Sequence, residues 1–140
     1  MPRRTGATLV EQTVIMAVLG VLAALAFRGV RTLLDTMAVS AAAREVRDVF
    51  ASAREHAVAS GVRTAVQIQP SPALLTAHAG SDTIAERSVG QLYGVTLHSS
   101  RDSMAYSPSG LGYGAANLRI VLVRHASAET VTVSRLGRVR

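Results

Sequence analysis

The feature that most constrains this chain is an apolar stretch near its N-terminus. From Gln12 to Phe27 no residue is charged, and from Ala7 to Phe27 the only charged residue is Glu11. A helix of this stretch would be about 30 Å long at 1.5 Å per residue, and a bilayer core takes about 20 apolar residues. The stretch is therefore long enough to span a membrane. A carboxylate is costly there, so Glu11 is either a functional residue with a partner or a side chain at headgroup level.

A short basic leader precedes the apolar stretch. Residues 1–6 are Met-Pro-Arg-Arg-Thr-Gly, and Ala-Thr-Leu-Val-Glu follows at residues 7–11. This order resembles the class III signal of type IV pilins and type II secretion pseudopilins. The resemblance implies that prepilin peptidase cuts between Gly6 and Ala7. It also implies that Glu11 neutralises the N-terminal amine of Ala7 in a neighbouring subunit, since two opposite charges buried together cost less than either alone.

An ordinary secretory signal is the alternative interpretation of this region. Two arginines, an apolar run and Ala-Leu-Ala at residues 24–26 are typical of a signal cleaved after Ala26. Glu11 within the apolar run and a helical pattern that continues past Phe27 argue against it. A twin-arginine signal is disfavoured, because the residues expected after the arginine pair are absent.

Composition limits the remaining possibilities. The chain has 140 residues, enough for one modest domain and an anchor, and it has no cysteine to support the fold with a disulfide. Its formal net charge is +6, and all 15 basic residues are arginine. Removing residues 1–6 leaves 13 basic and 9 acidic side chains, a net charge of +4. This balance permits binding to nucleic acid or an anionic surface but does not require it.

The helical pattern continues well beyond the apolar stretch. Between Ala7 and Gln69 there is no proline, and apolar residues recur every three or four positions from Asp35 to Ser60. This stripe consists of Val39, Ala43, Val46, Phe50, Ala53 and Ala57. We expect a helix from Thr8 to Ser60, near 80 Å long, ended by Gly61 in a left-handed conformation. The charged residues beside the stripe predict a solvated, salt-bridged face formed by Glu45 and Asp48 with Arg44, Arg47 and Arg54.

The period changes after Gly61 to the alternation typical of strands. Short strands are predicted at residues 62–68, 73–78, 83–89, 91–98, 104–106, 118–124 and 130–135, with a long turn at residues 107–114. Residues 118–124 are apolar on both faces, which predicts a central strand. The expected fold class is α+β: a long N-terminal helix packed on an antiparallel sheet or small sandwich. The expected divisions are residues 1–6, a leader; 7–34, a transmembrane or filament-core half-helix; 35–61, an amphipathic half-helix; and 62–140, a periplasmic β domain.

Both ends of the β region extend the resemblance. Ala53–Ala57 leads through Gly61 into Val66–Ile68, and this order resembles the helix-to-strand junction of GspH/FimT pseudopilins. The ending, Glu129–Arg140, resembles that family too. Membership would imply a minor pseudopilin of a type II secretion pseudopilus or type IV pilus, held in the bacterial inner membrane by one span. Its N-terminus would be cytoplasmic, its β domain periplasmic, and its partners other pilins, prepilin peptidase and membrane lipid. Family members carry an N-methylated Phe where this chain has Ala7, so methylation is expected only weakly.

No enzyme motif accompanies these features. The four histidines have no metal-ligand spacing, and no cysteine is present to complete a zinc site. The Gly-Leu-Gly-Tyr-Gly run at residues 110–114 lacks the strand–helix context of a phosphate-binding loop, so turn glycines are expected. We therefore expect no catalytic residue, metal or cofactor.

The C-terminal Gly-Arg-Val-Arg at residues 137–140 has two interpretations. One is a frayed, solvated terminus. The other follows from the FimT-like branch of the family, in which such a tail contributes to DNA capture during natural transformation. Arginines bind phosphates bidentately and release counterions, which gives salt-sensitive affinity without base recognition. The candidate residues for contact with double-stranded DNA are Arg124, Arg135, Arg138 and Arg140.

Overall fold

The structure is a computed structural model of the chain, and it describes residues 8–113 and 117–140. Contacts divide the chain into two units, Met1–Leu34 and Asp35–Arg140. In chain order the elements are α1 (Leu9–Ser60), β1 (Thr64–Gln69), β2 (Leu74–Ala79), β3 (Asp82–Ser88), α2 (Val89–Tyr93), β4 (Thr96–Ser99), β5 (Ser103–Tyr106), β6 (Gly112–Tyr113), β7 (Leu118–Arg124) and β8 (Ser127–Val133).

The strands form two antiparallel sheets. The first has five strands in the order β3-β2-β1-β5-β6, and the second has three in the order β4-β7-β8. β7 pairs with β4 on one side and with β8 on the other, so the prediction of a central strand at residues 118–124 is confirmed. The predicted α+β class, with a long N-terminal helix on antiparallel sheets, is also confirmed.

One apolar core joins the second part of α1 to both sheets. All six residues of the predicted stripe are buried, and Ala42 and Val49 are buried beside them. The core continues into the five-stranded sheet through Ile68 and Leu75, and into the three-stranded sheet through Ile120. Every buried core residue among those described lies between residues 39 and 133, so the unit Asp35–Arg140 contains the packing it needs to fold.

Gly61 ends α1 as predicted. Its φ angle is +67°, in the left-handed region that glycine adopts without a steric penalty. The helix begins at Leu9, one residue later than expected, because Thr8 caps it: the Glu11 N–H donates to the Thr8 hydroxyl over 3.3 Å.

The prediction of a strand over residues 91–98 is wrong in its first half. Residues Val89–Tyr93 form α2, and only Thr96–Ser99 form a strand. Gly94 ends α2 with a φ of +62°, and its N–H donates to the carbonyl of Gly90. Val89 is fully buried and anchors this turn in the core. Alternating residues in so short a window also fit a helical turn.

Two further differences from prediction concern the C-terminal strand and the turn at residues 107–114. The last predicted strand, at residues 130–135, instead begins at Ser127 and ends at Val133. Its strict alternation does place Val131 and Val133 in the core. Within the predicted turn, Gly112–Tyr113 form the short strand β6, which pairs with β5. Gly114, the last residue of that predicted turn, lies outside the described residues.

The charged face of α1 is only partly solvated, so that prediction needs correction. Arg47 pairs with Glu129 of β8 at 2.8 Å, and Glu45 pairs with Arg87 of β3 at 3.3 Å. Residues flanking an apolar stripe lie at the rim of the core, where long side chains reach the neighbouring strands. These charges therefore join the helix to the sheets rather than to one another.

Candidate functional site

The first candidate site is the apolar surface of α1 in the unit Met1–Leu34. Its most apolar window of 18 residues has a mean hydropathy of 2.1, and none of that window is buried within the chain. Large apolar side chains are exposed all round it, among them Leu9, Ile15, Leu19, Leu22 and Phe27. A helix that is apolar on every side is stable only against lipid or other helices. By length and composition this helix fits a membrane anchor.

Glu11 lies in the first turn of α1. Its side chain is exposed, and its backbone N–H is held by the Thr8 cap. A carboxylate in the first turn also faces the positive end of the helix dipole. The predicted cleavage residues Gly6 and Ala7 lie outside the described residues.

Arg124, a candidate DNA contact, is occupied by an ion pair. Its Nε lies 3.0 Å from a carboxylate oxygen of Asp35, and its guanidinium also donates to the carbonyl of Tyr93. His125 Nδ1 lies 3.1 Å from the other oxygen of Asp35. Asp35 thereby joins α1 to the turn between β7 and β8. Arg124 pairs with Ser127 at this turn, whereas the C-terminal residues follow Val133 at the other end of β8, about 20 Å away at 3.3 Å per residue.

The C-terminal tail, residues 134–140, folds back along β8. Thr132 and Arg140 exchange both backbone hydrogen bonds, at 2.8 and 2.9 Å, and Ser134 N–H donates to the Arg138 carbonyl at 2.8 Å. Val133 and Val139 face each other in an antiparallel bridge. The alternative of a frayed terminus is therefore wrong. The tail also reaches the five-stranded sheet, because Gly112 N–H donates to the Arg135 carbonyl over 3.0 Å.

Gly137 makes this reversal possible. Its φ is +75°, and a Cβ there would collide with the carbonyl oxygen of Gly110, whose own φ is also +75°. Arg54 of α1 lies against both glycines, and its Nε donates to the Gly110 carbonyl over 3.0 Å. The glycine of the Gly-Arg-Val-Arg sequence is therefore required by packing. Three segments distant in sequence meet here: α1, the turn before β6, and the tail.

Beside the place where these three segments meet, an open groove of about 870 Å³ runs between α1 and the tail. Arg138 and Arg140 lie on the tail side, and Arg47 and Arg54 lie on the helix side. The structure thus brings together two of the four predicted arginines. Arg124 lies apart from them, and Arg135 is exposed on the turn without lining the groove.

Arg47 and Arg54 were not predicted to belong to this site. Their spacing of seven places them on one side of α1, and this signal was available in the sequence. The sequence did not reveal the path of the tail. Without knowing that residues 138–140 return along β8, nothing places them against that side of the helix.

Two groups near the groove have shifted pKa values. The hydrogen bond from Arg47, with a second from Ser40 at 2.9 Å, holds the pKa of Glu129 below its ordinary value. Burial raises the pKa of Tyr106 to about 12. The Tyr106 hydroxyl has no hydrogen-bond partner among the described residues. Both groups have structural roles, since Glu129 joins β8 to α1 and Tyr106 fills the core.

Metal ligation has no support in this part of the chain. Across residues 8–113 and 117–140, no three histidine or acidic side chains lie close enough together to hold a metal ion. The arrangement offers two kinds of contact instead: an apolar helical surface, and a charged groove at the edge of the β domain.

Comparison with solved structures relates this arrangement to known proteins. The type IV minor pilin FimU of Pseudomonas aeruginosa PAO1 matches in two crystal forms, with TM-scores of 0.63 and 0.61 and 13% identity in each. The matches cover 73% and 72% of this chain, and 86% and 90% of FimU. The minor pseudopilin EpsH of the Vibrio cholerae type 2 secretion system matches with a TM-score of 0.56 and 17% identity, covering 73% of this chain and 94% of EpsH.

This chain has the pilin-like fold of minor pilins and pseudopilins. No protein-family model matches the sequence, and no curated protein matches it. At 13–17% identity the solved structures establish the fold, and the function must be argued from the chain's own surfaces.

Proposed function

We propose that this protein is a minor subunit of a type IV pilus or a type II secretion pseudopilus, with a structural rather than a catalytic role. The observation that carries the proposal is the division of α1. Its first part exposes apolar side chains on every side, and its second part packs on a domain with the minor-pilin fold. The first part is suited to exchange between lipid and a bundle of like helices.

The proposed assembly pathway of the subunit begins in the inner membrane. The chain is inserted with its N-terminus in the cytoplasm and its β domain in the periplasm, and prepilin peptidase removes residues 1–6. The new amine at Ala7 then pairs with Glu11 of a neighbouring subunit as the helices leave the lipid. Thr8 supports this arrangement, because its cap fixes the start of the helix three residues before Glu11.

Co-expression with a prepilin peptidase tests the processing step. The expected product is shorter by residues 1–6, as measured by intact mass, and Gly6→Leu should leave the precursor uncut. Cleavage after Ala26 instead would show an ordinary secreted protein. An uncut wild-type chain would refute processing while leaving the fold unaffected.

DNA capture is a second candidate function, favoured by one observation. Arg138 and Arg140 are exposed, and backbone hydrogen bonds hold the hairpin that presents them, so both side chains project from an ordered backbone. With two or three phosphate contacts, from Arg138, Arg140 and Arg135, log K should fall with log salt concentration at a slope of about −2 to −3. Affinity from one subunit would be weak, and several subunits in a filament would strengthen it.

A salt series on the fragment Asp35–Arg140 tests this second candidate. Arg138→Ala with Arg140→Ala should weaken binding of double-stranded DNA and reduce the salt slope by about 2. The matched control removes two exposed arginines outside the groove, Arg44→Ala with Arg119→Ala. Equal losses in the two variants would show a general charge effect, and no binding at low salt would refute DNA capture by the isolated domain.

A further inference from the structure

The part of α1 that follows the uncharged stretch, residues 28–34, is charged on one side and apolar on the other. Arg28 and Arg31 lie three residues apart, and so on one side of the helix. The opposite side carries three exposed apolar side chains, those of Val30, Leu33 and Leu34. An exposed helix with this division of charge is suited to the boundary between the hydrocarbon core of a bilayer and its headgroups.

The positive charges of this segment are not neutralised within the described part of the chain. Arg28 and Arg31 are both exposed, and among the described residues neither forms a salt bridge. The sequence has no acidic residue from position 12 to position 34. Asp35, the next acidic residue, is paired with Arg124 at 3.0 Å. Both guanidinium groups can therefore bind a partner from outside the chain.

The length of the preceding helix places the two arginines at one surface of a bilayer. From Leu9 to Phe27 α1 spans about 28 Å at 1.5 Å per residue, close to the ~30 Å thickness of a hydrocarbon core. The Arg31 guanidinium lies 4.5 Å from the centroid of the Phe27 ring, which is a cation–π contact. This contact holds the guanidinium beside the last residue of the uncharged stretch. Both arginines therefore lie at the level of lipid phosphates once the helix is inserted.

Insertion of the helix does not by itself account for these arginines. Lysines and arginines beside a span are typical of its cytoplasmic end, whereas the proposed topology puts residues 28–34 at the periplasmic end. A guanidinium group binds the oxygens of a phosphate bidentately. A zwitterionic lipid carries its own ammonium group, which competes for that phosphate, and an anionic phospholipid does not. The two unpaired arginines therefore select an anionic lipid.

We propose that Arg28 and Arg31 bind the phosphate of an anionic phospholipid at the end of the membrane span. The apolar side of residues 28–34 keeps the helix in contact with the surrounding acyl chains. The inference rests on the membrane anchor of the proposed function and adds the class of lipid that this end of the anchor binds. One arginine near an anionic surface contributes about fivefold in affinity. We therefore expect anionic lipid to be enriched beside Phe27 by at least about fivefold.

Fluorescence quenching in liposomes measures this preference on the full-length chain. The sequence has no tryptophan, so Phe27→Trp introduces a single one beside the site and keeps an aromatic ring for Arg31. The protein is reconstituted into phosphatidylcholine with a minority of phosphatidylglycerol, and one lipid or the other is supplied in brominated form. Because bromine quenches only at short range, the comparison reports which lipid lies beside residue 27. Brominated phosphatidylglycerol should quench more strongly than its share of the bilayer predicts.

Two double variants, both carrying Phe27→Trp, separate the site from a general charge effect. Arg28→Gln with Arg31→Gln should abolish the enrichment, because no guanidinium remains at the level of the phosphates. The matched control, Arg44→Gln with Arg119→Gln, removes two exposed arginines of the β domain and should retain the enrichment.

Enrichment that requires Arg28 and Arg31 supports the proposal. Equal quenching by the two lipids overturns it, as does an equal loss of enrichment in the two double variants. Loss of the enrichment on adding inorganic phosphate at constant ionic strength would assign the arginines to a soluble anion instead. Alkaline carbonate extraction of the same liposomes shows separately whether the chain is inserted. A released chain refutes the membrane anchor and the lipid site with it, whereas an inserted chain without enrichment refutes only the lipid site.

Discussion

Gly137→Ala should strongly destabilise the β domain, because Gly137 lies where the tail meets both α1 and the turn before β6. Its φ of +75° disfavours a side chain, at about 1–2 kcal/mol. The new Cβ would also collide with the Gly110 carbonyl and approach Arg54 Nε to 3.3 Å and Tyr106 Cε1 to 3.4 Å. Overpacking of this kind costs about 1–3 kcal/mol. The expected total loss in unfolding free energy is about 2–5 kcal/mol.

Gly80→Ala is the matched control. Gly80 has a φ of +63° in the turn between β2 and β3, and nothing lies within 4 Å of an added Cβ. It should lose only the conformational part, about 1–2 kcal/mol. Urea unfolding of the fragment Asp35–Arg140, followed by circular dichroism, measures both losses. Equal losses in the two variants would refute the close packing of Gly137 against Gly110, and with it the argument that packing requires the glycine of the tail.

Three more predictions concern residues that stabilise the β domain. Since the hydrogen bond from Arg47 holds the Glu129 pKa below its ordinary value of 4.5, this carboxylate stabilises the fold above that pH, and the contribution is lost as the pH falls through the lowered pKa. Glu129→Gln should lower the unfolding free energy by about 1 kcal/mol at pH 7. Urea titrations below pH 4.5 should show a smaller difference in unfolding free energy between the variant and wild type, and an unchanged difference would contradict this prediction. Tyr106→Phe removes a buried hydroxyl without a described partner, so thermal unfolding should show unchanged or raised stability, by up to about 1 kcal/mol, and a large loss would reveal a missed partner. Phe50→Ala should cost about 3–5 kcal/mol in urea unfolding because Phe50 is fully buried, and a loss below about 1 kcal/mol would contradict its place in the core.

The helix and the core could be predicted from the sequence because their signals are local and periodic. The stripe from Val39 to Ala57 repeats over five turns, and burial follows it without exception. Gly61 ends the helix because glycine, which lacks a Cβ, readily adopts the left-handed backbone conformation found there. The central position of β7 followed from apolar residues on both of its faces.

The features that prediction missed depend on contacts between distant segments. Residues 89–93 form a helix whose first residue, Val89, is buried in the core, and an alternating pattern over so few residues cannot reveal that. The ion pair of Arg124 with Asp35 joins residues 89 positions apart. The groove requires the tail to return along β8, which depends on the meeting of Gly137 with Gly110. The candidate arginines could be identified from the sequence, but only the fold shows that Arg124 lies apart from Arg138 and Arg140.

The most direct test of the proposed function is the amount of this protein in sheared filaments. Wild-type protein and Glu11→Gln are expressed beside the host's other pilins, with Glu86→Gln, an exposed carboxylate on β3, as the control. Breaking a buried charge pair costs about 3–5 kcal/mol, so Glu11→Gln should reduce incorporation at least tenfold while membrane levels stay equal. Glu86→Gln should assemble like wild type. Absence of the wild-type protein from filaments, or equal incorporation of Glu11→Gln, would contradict assembly through the N-terminal helix.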